Sequence, residues 1–199
     1  MMKTLIQKAK KLNVDILNGI HISKMLEEND FVELQTTNNW SIKTAKVIVA
    51  TNGFSQQLLP EVDLQPARNQ VLITQPIPNL KLKGCFHYDK GYVYFRNIHN
   101  RILLGGGRNI NPDEEQTDVF GMTEEIQNYL INLLKIHFLP NQAFEIDRWW
   151  SGILGVGSSK IPLTKKVSER ITVAIRLGGM GVAIGMLVGE EGAALLLEE

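Results

Sequence analysis

The fold is decided by the stretch ITVAIRLGGMGVAIGMLVGEEGAALLL, residues 171–197. Its β-branched start predicts a strand over residues 171–175, and the small residues after it predict a tight turn at residues 178–181. The long apolar segment that follows has no proline and predicts a helix. A strand, a glycine turn and a helix in this order point free backbone N–H groups and a positive helix end toward an electron-rich ligand. The end of the chain therefore predicts a ligand-binding turn.

The terminal helix carries glycines at every third or fourth position, namely Gly181, Gly185, Gly189 and Gly192. Such spacing clears one helix face, so that a flat group or another backbone can lie against it. Small residues at this spacing also occur in membrane helices. A membrane span is disfavoured here, because Arg176 and the pair Glu190 and Glu191 bracket too short an apolar run.

The composition excludes several classes of protein. The 199 residues are 44% hydrophobic and 21% charged with a formal net charge of +0, which is typical of a soluble globular protein and gives no attraction to nucleic acid. Cys85 is the single cysteine, which excludes an internal disulfide and a multi-cysteine metal site. The four histidines share no metal-ligand spacing, so we expect no metal. No signal peptide opens the chain, and we expect a cytoplasmic protein.

Hydrophobic periodicity divides the rest of the chain into three parts. The first part predicts a helix at residues 3–12, a short strand at 14–17 and a three-stranded meander at 20–44. A strand buried on both faces at 45–50 and a short helix at 54–59 follow. The middle part predicts four strands in close succession, over residues 70–75, 84–88, 92–97 and 102–106. After a polar loop, a helix at 123–138 and a strand at 144–154 lead to the terminal stretch.

The helix at residues 123–138 has the clearest pattern. Thr123 is expected to cap it, and six residues are expected to form its buried stripe: Ile126, Tyr129, Leu130, Leu133, Leu134 and Ile136. The loop before it, residues 111–118, carries Asp113, Glu114 and Glu115, which we expect to be solvated. The fold class is thus mixed α+β and α/β, with an antiparallel sheet and one long helix inserted into a partial nucleotide-binding layer.

Four segments, once placed in this order, resemble a known family. They are AKVIVATNGF at residues 45–54, GYVYFR with RILLGGG at 91–107, DRWWSGI at 147–153, and GGMGVAIGMLVGEEGAALL at 178–196. The chain resembles the C-terminal part of FAD-dependent oxidoreductases of the D-amino-acid oxidase and glycine oxidase superfamily. The resemblance implies a Rossmann-like FAD-binding part at residues 1–62 and 156–199, and a substrate-binding sheet at residues 63–155.

The resemblance also implies the cofactor and the site residues. FAD is the expected cofactor, held by Ile22, Ala50, Thr51, Gly53, Gly178, Gly179, Met180, Gly181, Val182 and Ala183. Tyr92, Arg96 and Trp150 are the expected substrate-binding residues. Strand alternation separately predicts that Trp149 and Trp150 face opposite sides, with one of them packed in the core. Lys160, in a glycine-serine loop, could face the flavin ring. For Tyr92 and Arg96, hairpin packing and an ordinary surface charge remain the alternatives.

Two departures from the family limit these expectations. The G-x-G-x-x-G dinucleotide fingerprint is absent, and Gly105–Gly107 does not replace it because no helix follows. We therefore expect a fragment that binds FAD poorly and is inactive alone. The arginines that hold a substrate carboxylate in this group correspond to Leu154 and to the region of Gly179, which argues against an amino-acid substrate.

Two functions remain open at this stage. One is part of an oxidoreductase that removes a hydride from a C–H bond next to nitrogen or oxygen in a small molecule. The other is a non-catalytic interaction module or truncated remnant, which an unpaired sheet edge would predispose to self-association or partial disorder over residues 1–60.

Overall fold

The structure is a computed structural model and describes residues 2–198. Backbone contacts divide the chain into two compact units, one ending at Val47 and one beginning at Ile48. Each unit has its own helices and strands. The combination of helices with antiparallel sheets confirms the predicted mixed fold class.

The first unit is a helix followed by a meander. Helix α1 (Met2–Lys11) precedes an antiparallel sheet in the order β1 (Ile22–Glu27), β2 (Val32–Thr36) and β3 (Ser41–Thr44). The predicted helix and meander are confirmed. The strand predicted at residues 14–17 is wrong, because these residues find no partner strand and Val14 and Leu17 are 51% and 68% exposed.

The second unit contains a five-stranded antiparallel sheet in the order β6-β7-β8-β5-β9. Its strands are β5 (Gln65–Thr74), β6 (Cys85–Tyr88), β7 (Val93–Ile98), β8 (Arg101–Gly106) and β9 (Ile146–Val156). Alternate residues of the strands point to opposite faces. One face forms the main core, in which Leu72, Val93 and Leu104 are fully buried. These side chains pack with helix α3 (Glu124–Leu133).

Helix α3 continues as a π-helical turn, Leu134–Phe138, in which Leu139 N donates to Leu134 O over 2.8 Å. A π turn spaces hydrogen-bonded residues by five and changes the direction of later side chains. The expected stripe is therefore buried at Ile126, Leu130, Leu133 and Leu134 but ends there, and Ile136 is 64% exposed. The prediction for Ile136 is wrong for this reason.

The loop before α3 differs from its prediction as well. Its residues form a helical turn, α2 (Pro112–Glu115), and Glu115 is only 2% exposed. The Glu115 carboxylate accepts hydrogen bonds from Arg68 Nη2 at 2.8 Å, Gln70 Nε2 at 2.9 Å and Thr123 Oγ1 at 3.2 Å. The prediction of a solvated Glu115 is wrong, because the buried Arg68 cation requires a partner. Thr123 makes no side-chain cap to α3, because its hydroxyl donates to Glu115 and accepts from Gln70 Nε2 at 2.8 Å.

A second sheet of this unit has the strand order β10-β11-β4 and carries the terminal helix. Its strands are β4 (Val47–Val49), β10 (Leu163–Lys166) and β11 (Ile171–Ile175), and the helix is α4 (Gly181–Leu197). All residues of β11 are buried. The strand predicted as covered on both faces is β4, and this is wrong: it is an edge strand in which Ile48 is 36% exposed.

Helix α4 packs on β11 through one glycine. A Cβ built at Gly192 would lie 2.8 Å from Ala174 Cβ. A Cβ built at Gly185 or Gly189 would have no neighbouring atom within 4 Å. Close approach is confirmed at Gly192 alone, and the prediction that all four glycines clear one face for a neighbouring group stays a prediction. Among residues 2–198, no helix combines the length and the apolar character needed to cross a membrane.

Candidate functional site

Two segments predicted to bind the cofactor are brought together with the end of β9 in the second unit. They are the turn after β4 at residues 51–53 and the turn between β11 and α4. Asn52 Oδ1 accepts a hydrogen bond from Leu177 N at 3.1 Å, and Gly178 N donates to Gly155 O at 3.0 Å. These bonds fix the glycine turn to both neighbouring segments.

Two glycines at this junction are required by close packing. A Cβ at Gly53 would lie 2.7 Å from Ile153 Cγ2 and 2.8 Å from Leu154 O. A Cβ at Gly155 would lie 2.7 Å from Asn52 Oδ1. Packing alone therefore explains Gly53, and its contact with a cofactor stays a prediction.

The turn that precedes α4 opens to solvent. Gly178 and Gly179 have φ angles of +54° and +88°, which favour glycine, and no atom lies within 4 Å of a Cβ built at Gly178. In the described chain, the amides of Gly179, Gly181 and Val182 donate no hydrogen bond within the protein. A cradle that a side chain would fill, lined by free N–H groups at a helix N-terminus, fits the electron-rich edge of a flavin.

The remaining predicted cofactor residues have varied surroundings. Met180 and Val182 are 54% and 80% exposed. Ala183 N donates to Met180 O at 2.9 Å, so this amide is already used by the helix. Ala50 is exposed, and Thr51 Oγ1 lies 2.9 Å from Ser55 Oγ. Ile22 lies on β1 of the first unit. Their roles toward a cofactor stay predictions.

Arg176 anchors the glycine turn, a role that the sequence did not predict. It is 7% exposed and has a left-handed φ of +62°, which is rare for a residue with a side chain. Its guanidinium donates to Ile161 O at 2.9 Å, to Asp63 O at 3.0 Å and to the Asp63 carboxylate. Hydrogen bonds from the Ser158 hydroxyl and amide, with the Arg176 charge, hold the pKa of Asp63 below its ordinary value. The loop that contains Lys160 is thereby tied to the turn.

The face of the five-stranded sheet opposite α3 is the candidate substrate surface. Alternation along β7 and β9 places Arg96 and Trp150 on this face, because Phe95 and Trp149 face the core. This confirms the opposite directions expected for the two tryptophans. Trp150 is 38% exposed. Tyr92 precedes β7, and its ring lies under the Arg108 guanidinium with 5.4 Å from Cζ to the ring centroid. The structure therefore brings Arg96 and Trp150 to one face and holds Tyr92 against Arg108.

The sequence reasoning missed Tyr94, which shares this face with Arg96. Its hydroxyl accepts a hydrogen bond from Asn69 Nδ2 at 3.0 Å, and burial raises its pKa above the ordinary value. A Cβ at Gly105 would lie 2.6 Å from the Tyr94 hydroxyl, so the ring lies flat over this glycine. The alternation of Tyr92, Tyr94 and Arg96 was a signal for the position of Tyr94, but its long-range partner Asn69 left no local signal.

Residues 2–198 contain no group of three or more histidine, cysteine or acidic side chains arranged to hold a metal ion.

Comparison with known proteins gives consistent results. A family model described as FAD dependent oxidoreductase (DAO) matches residues 1–195. The bifunctional protein ThiO/ThiG of Nostoc sp. is 23% identical over 171 residues, which are 78% of this chain and 23% of that protein. The chain thus spans less than a quarter of this curated relative.

Two solved structures share the fold. L-proline dehydrogenase from P. horikoshii superimposes with a TM-score of 0.76 at 23% identity, over 96% of this chain and 53% of its own. Iminodiacetate oxidase from Chelativorans sp. BNC1 gives a TM-score of 0.77 at 17% identity, over 98% of this chain and 53% of its own. The chain therefore spans about half the length of these proteins.

Proposed function

The chain belongs to the family of FAD-dependent oxidoreductases, and from this premise we propose that the protein oxidises a C–H bond next to nitrogen in a small amine. The family cofactor is FAD, which when bound supplies the hydride acceptor. The names of the two solved structures contain the amines L-proline and iminodiacetate. We extend this substrate class to the present protein as a proposal, with an alcohol or hydroxy acid as the alternative.

One observation carries the proposal: the turn before α4 is open and lined by unused amides. The free N–H groups of Gly179, Gly181 and Val182 lie at the positive end of a helix of 17 residues. Donors fixed in advance stabilise negative charge without reorganising when it develops. We assign these residues to the flavin edge that gains negative charge on reduction.

The open sheet face supplies the substrate side of the site. Gly179 borders the end of β9, since a Cβ built there would lie 3.9 Å from Leu154 Cδ1. Leu154 and Trp150 are four residues apart on the same face, which is roughly 13 Å along a strand. We propose that residues 63–155 form the substrate part and that residues 1–62 and 156–199 belong to the FAD part.

A substitution at Gly178 tests this function. In Gly178→Asn the side chain enters the open space of the turn, and asparagine tolerates the positive φ angle of +54° better than other residues. Because the G-x-G-x-x-G fingerprint is absent, we expect weak FAD binding, so FAD is added in excess and its binding is followed by the change in its visible absorbance. Gly178→Asn should lose that change while its unfolding midpoint changes little.

The matched control is Gly19→Asn in the first unit. Gly19 has a φ angle of +72° and no atom within 4 Å of a built Cβ, so the substitution is equivalent but lies outside the turn. This variant should keep the flavin. Absence of any absorbance change with excess FAD, or Gly178→Asn that binds FAD as well as the control, would contradict the proposal.

A second candidate function is self-association or binding of another protein. It is favoured by the apolar side chains that α4 leaves uncovered, of which Val182 is 80% exposed and Met186 is 65% exposed. The edge position of β4 supports the same interpretation. Sedimentation of the purified chain distinguishes this candidate, because a module of this kind would self-associate without binding flavin.

A further inference from the structure

Helix α1 of the first unit has two chemically different faces. At about 100° of rotation per residue, its apolar side chains fall within roughly 120° of the helix circumference, and polar side chains fill the rest. The apolar stripe consists of Met2, Leu5, Ile6 and Ala9, and it continues into Leu12 directly after the helix. The helix is thus amphipathic, as expected of a helix that lies against an apolar surface.

The apolar stripe of α1 is open to solvent. The helix has no buried residue, and Met2, Ile6 and Leu12 are 62%, 43% and 67% exposed. The chain after the helix turns back toward it, because Val14 N donates to Ala9 O at 3.1 Å, and Val14 is itself 51% exposed. Exposed apolar side chains that lie together, unlike scattered single ones, mark an interaction site.

The polar face of α1 carries positive charge only. Its charged residues are Lys3, Lys8, Lys10 and Lys11, and the first acidic residue after them is Asp15. The four lysines are exposed, and none of them forms an ion pair with another described residue. Because the whole chain has a formal net charge of +0, the remainder carries a net negative charge. Helix α1 is therefore a basic segment of an otherwise acidic chain.

The positions of the lysines decide which partner fits the apolar stripe. Helical rotation places Lys3 and Lys10 on one flank of the stripe and Lys8 on the other, each roughly 40–60° from its edge. Lysines at the flanks can reach lipid phosphates while the stripe lies among acyl chains. A second copy of α1 would instead bring like charges together across the contact, which is unfavourable. The arrangement is thus complementary to an anionic surface over an apolar interior.

We propose that α1 binds the protein to the surface of a membrane that contains anionic lipids. The helix lies in the plane of the interface, with its apolar stripe among the acyl chains and its lysines at the lipid phosphates. This is surface binding and not a span, because the 10 residues of α1 rise only about 15 Å, against roughly 30 Å of hydrocarbon in a bilayer. The interaction requires neither FAD nor a substrate.

Partition of the purified full chain onto lipid vesicles tests this interaction. Vesicles of phosphatidylcholine and phosphatidylglycerol, in a ratio of about two to one, are compared with vesicles of phosphatidylcholine alone, and flotation separates the bound protein. We expect partition to be at least about tenfold stronger with the anionic vesicles. It should weaken as the salt concentration rises, because added ions screen the lysine charges.

A double variant tests the contribution of the lysines. Lys3→Gln combined with Lys10→Gln removes both charges from one flank and should weaken partition onto anionic vesicles roughly 25-fold, at about fivefold per lysine. The matched control is Lys81→Gln combined with Lys83→Gln, which changes the net charge equally but at exposed positions outside α1. Partition of this control should be nearly unchanged.

A single variant tests the apolar stripe. Ile6→Ser should weaken partition roughly tenfold, because a polar side chain replaces one that enters the acyl region. Ile161→Ser is the matched control, since Ile161 is 71% exposed and lies in the second unit. All these side chains are exposed, so the substitutions open no cavity, and circular dichroism verifies that each variant folds.

The proposal is overturned if the full chain binds neither kind of vesicle, binds both equally, or loses no more affinity in the α1 variants than in their controls. Sedimentation without lipid tests a second copy as the occupant of the stripe: a coefficient that falls in Ile6→Ser would assign α1 to self-association and overturn membrane binding. The FAD titration reports separately on the proposed function, so the two failures are distinguishable.

Discussion

Replacing Asn52 tests whether the glycine turn is held by the geometry described above. Asn52 has a left-handed φ of +45°, and its Oδ1 accepts the hydrogen bond from Leu177 N at 3.1 Å. Alanine at this position removes the acceptor and is disfavoured in the left-handed conformation. Aspartate keeps both the acceptor and much of the conformational tolerance.

The two effects of Asn52→Ala can be estimated separately. Leaving the half-buried Leu177 N–H without its partner costs about 1–3 kcal/mol, and the left-handed alanine about 1–2 kcal/mol. We expect a loss of about 3 kcal/mol in the free energy of unfolding for Asn52→Ala, and under about 1 kcal/mol for Asn52→Asp. Because the turn is released from its neighbour, flavin affinity should also fall in the alanine variant.

The assay is urea unfolding followed by far-ultraviolet circular dichroism. Asn79→Ala is the matched control: Asn79 is exposed with a φ of +54°, and its side chain makes no hydrogen bond to another described residue. It should lose only the conformational part, about 1–2 kcal/mol. Equal losses in Asn52→Ala and Asn52→Asp, or in Asn52→Ala and Asn79→Ala, would refute the role given to the bond with Leu177.

Three further predictions concern the sheet, its charges and the terminal helix. Gly105→Ala should destabilise the protein by about 1–3 kcal/mol, because its Cβ would lie 2.6 Å from the Tyr94 hydroxyl, and adding Tyr94→Ala should recover most of this loss in urea unfolding. A hydrogen bond from Arg101 and its charge lower the pKa of Asp147, so this carboxylate stabilises the fold above its ordinary pKa of about 4 and the contribution disappears as pH falls through the lowered value. Asp147→Asn should accordingly make stability less dependent on pH in that acidic range, and an unchanged pH profile would contradict the assignment. Met186→Lys on the exposed face of α4 should lower the sedimentation coefficient if that face mediates self-association, and should leave it unchanged if the chain is monomeric.

Local patterns in the sequence predicted most of the elements. The alternating runs predicted the meander and the antiparallel sheet, and the glycines between β11 and α4 predicted the turn. These signals are local, because side-chain periodicity and glycine preference act within a few residues. The resemblance to FAD-dependent oxidoreductases is confirmed by the match to residues 1–195.

The errors occurred where a residue's surroundings come from distant parts of the chain. Glu115 has the sequence context of a solvated loop, yet Arg68 lies 47 positions away and makes it a buried ion-pair partner. Ile48 has the context of a covered strand, but its exposure depends on which strands lie beside β4. The error at Ile136 has a local cause instead, because the π turn at the end of α3 changes the direction of its side chain.

The sequence by itself determined which segments form strands and helices and where the glycine turn lies, because those properties depend on near neighbours. Only the tertiary structure decided that Asn52 holds the turn and that Asn69 orients Tyr94, across 125 and 25 positions of the chain. Hydrogen bonds between distant residues depend on register and strand order, and these are set by the packing of the whole unit.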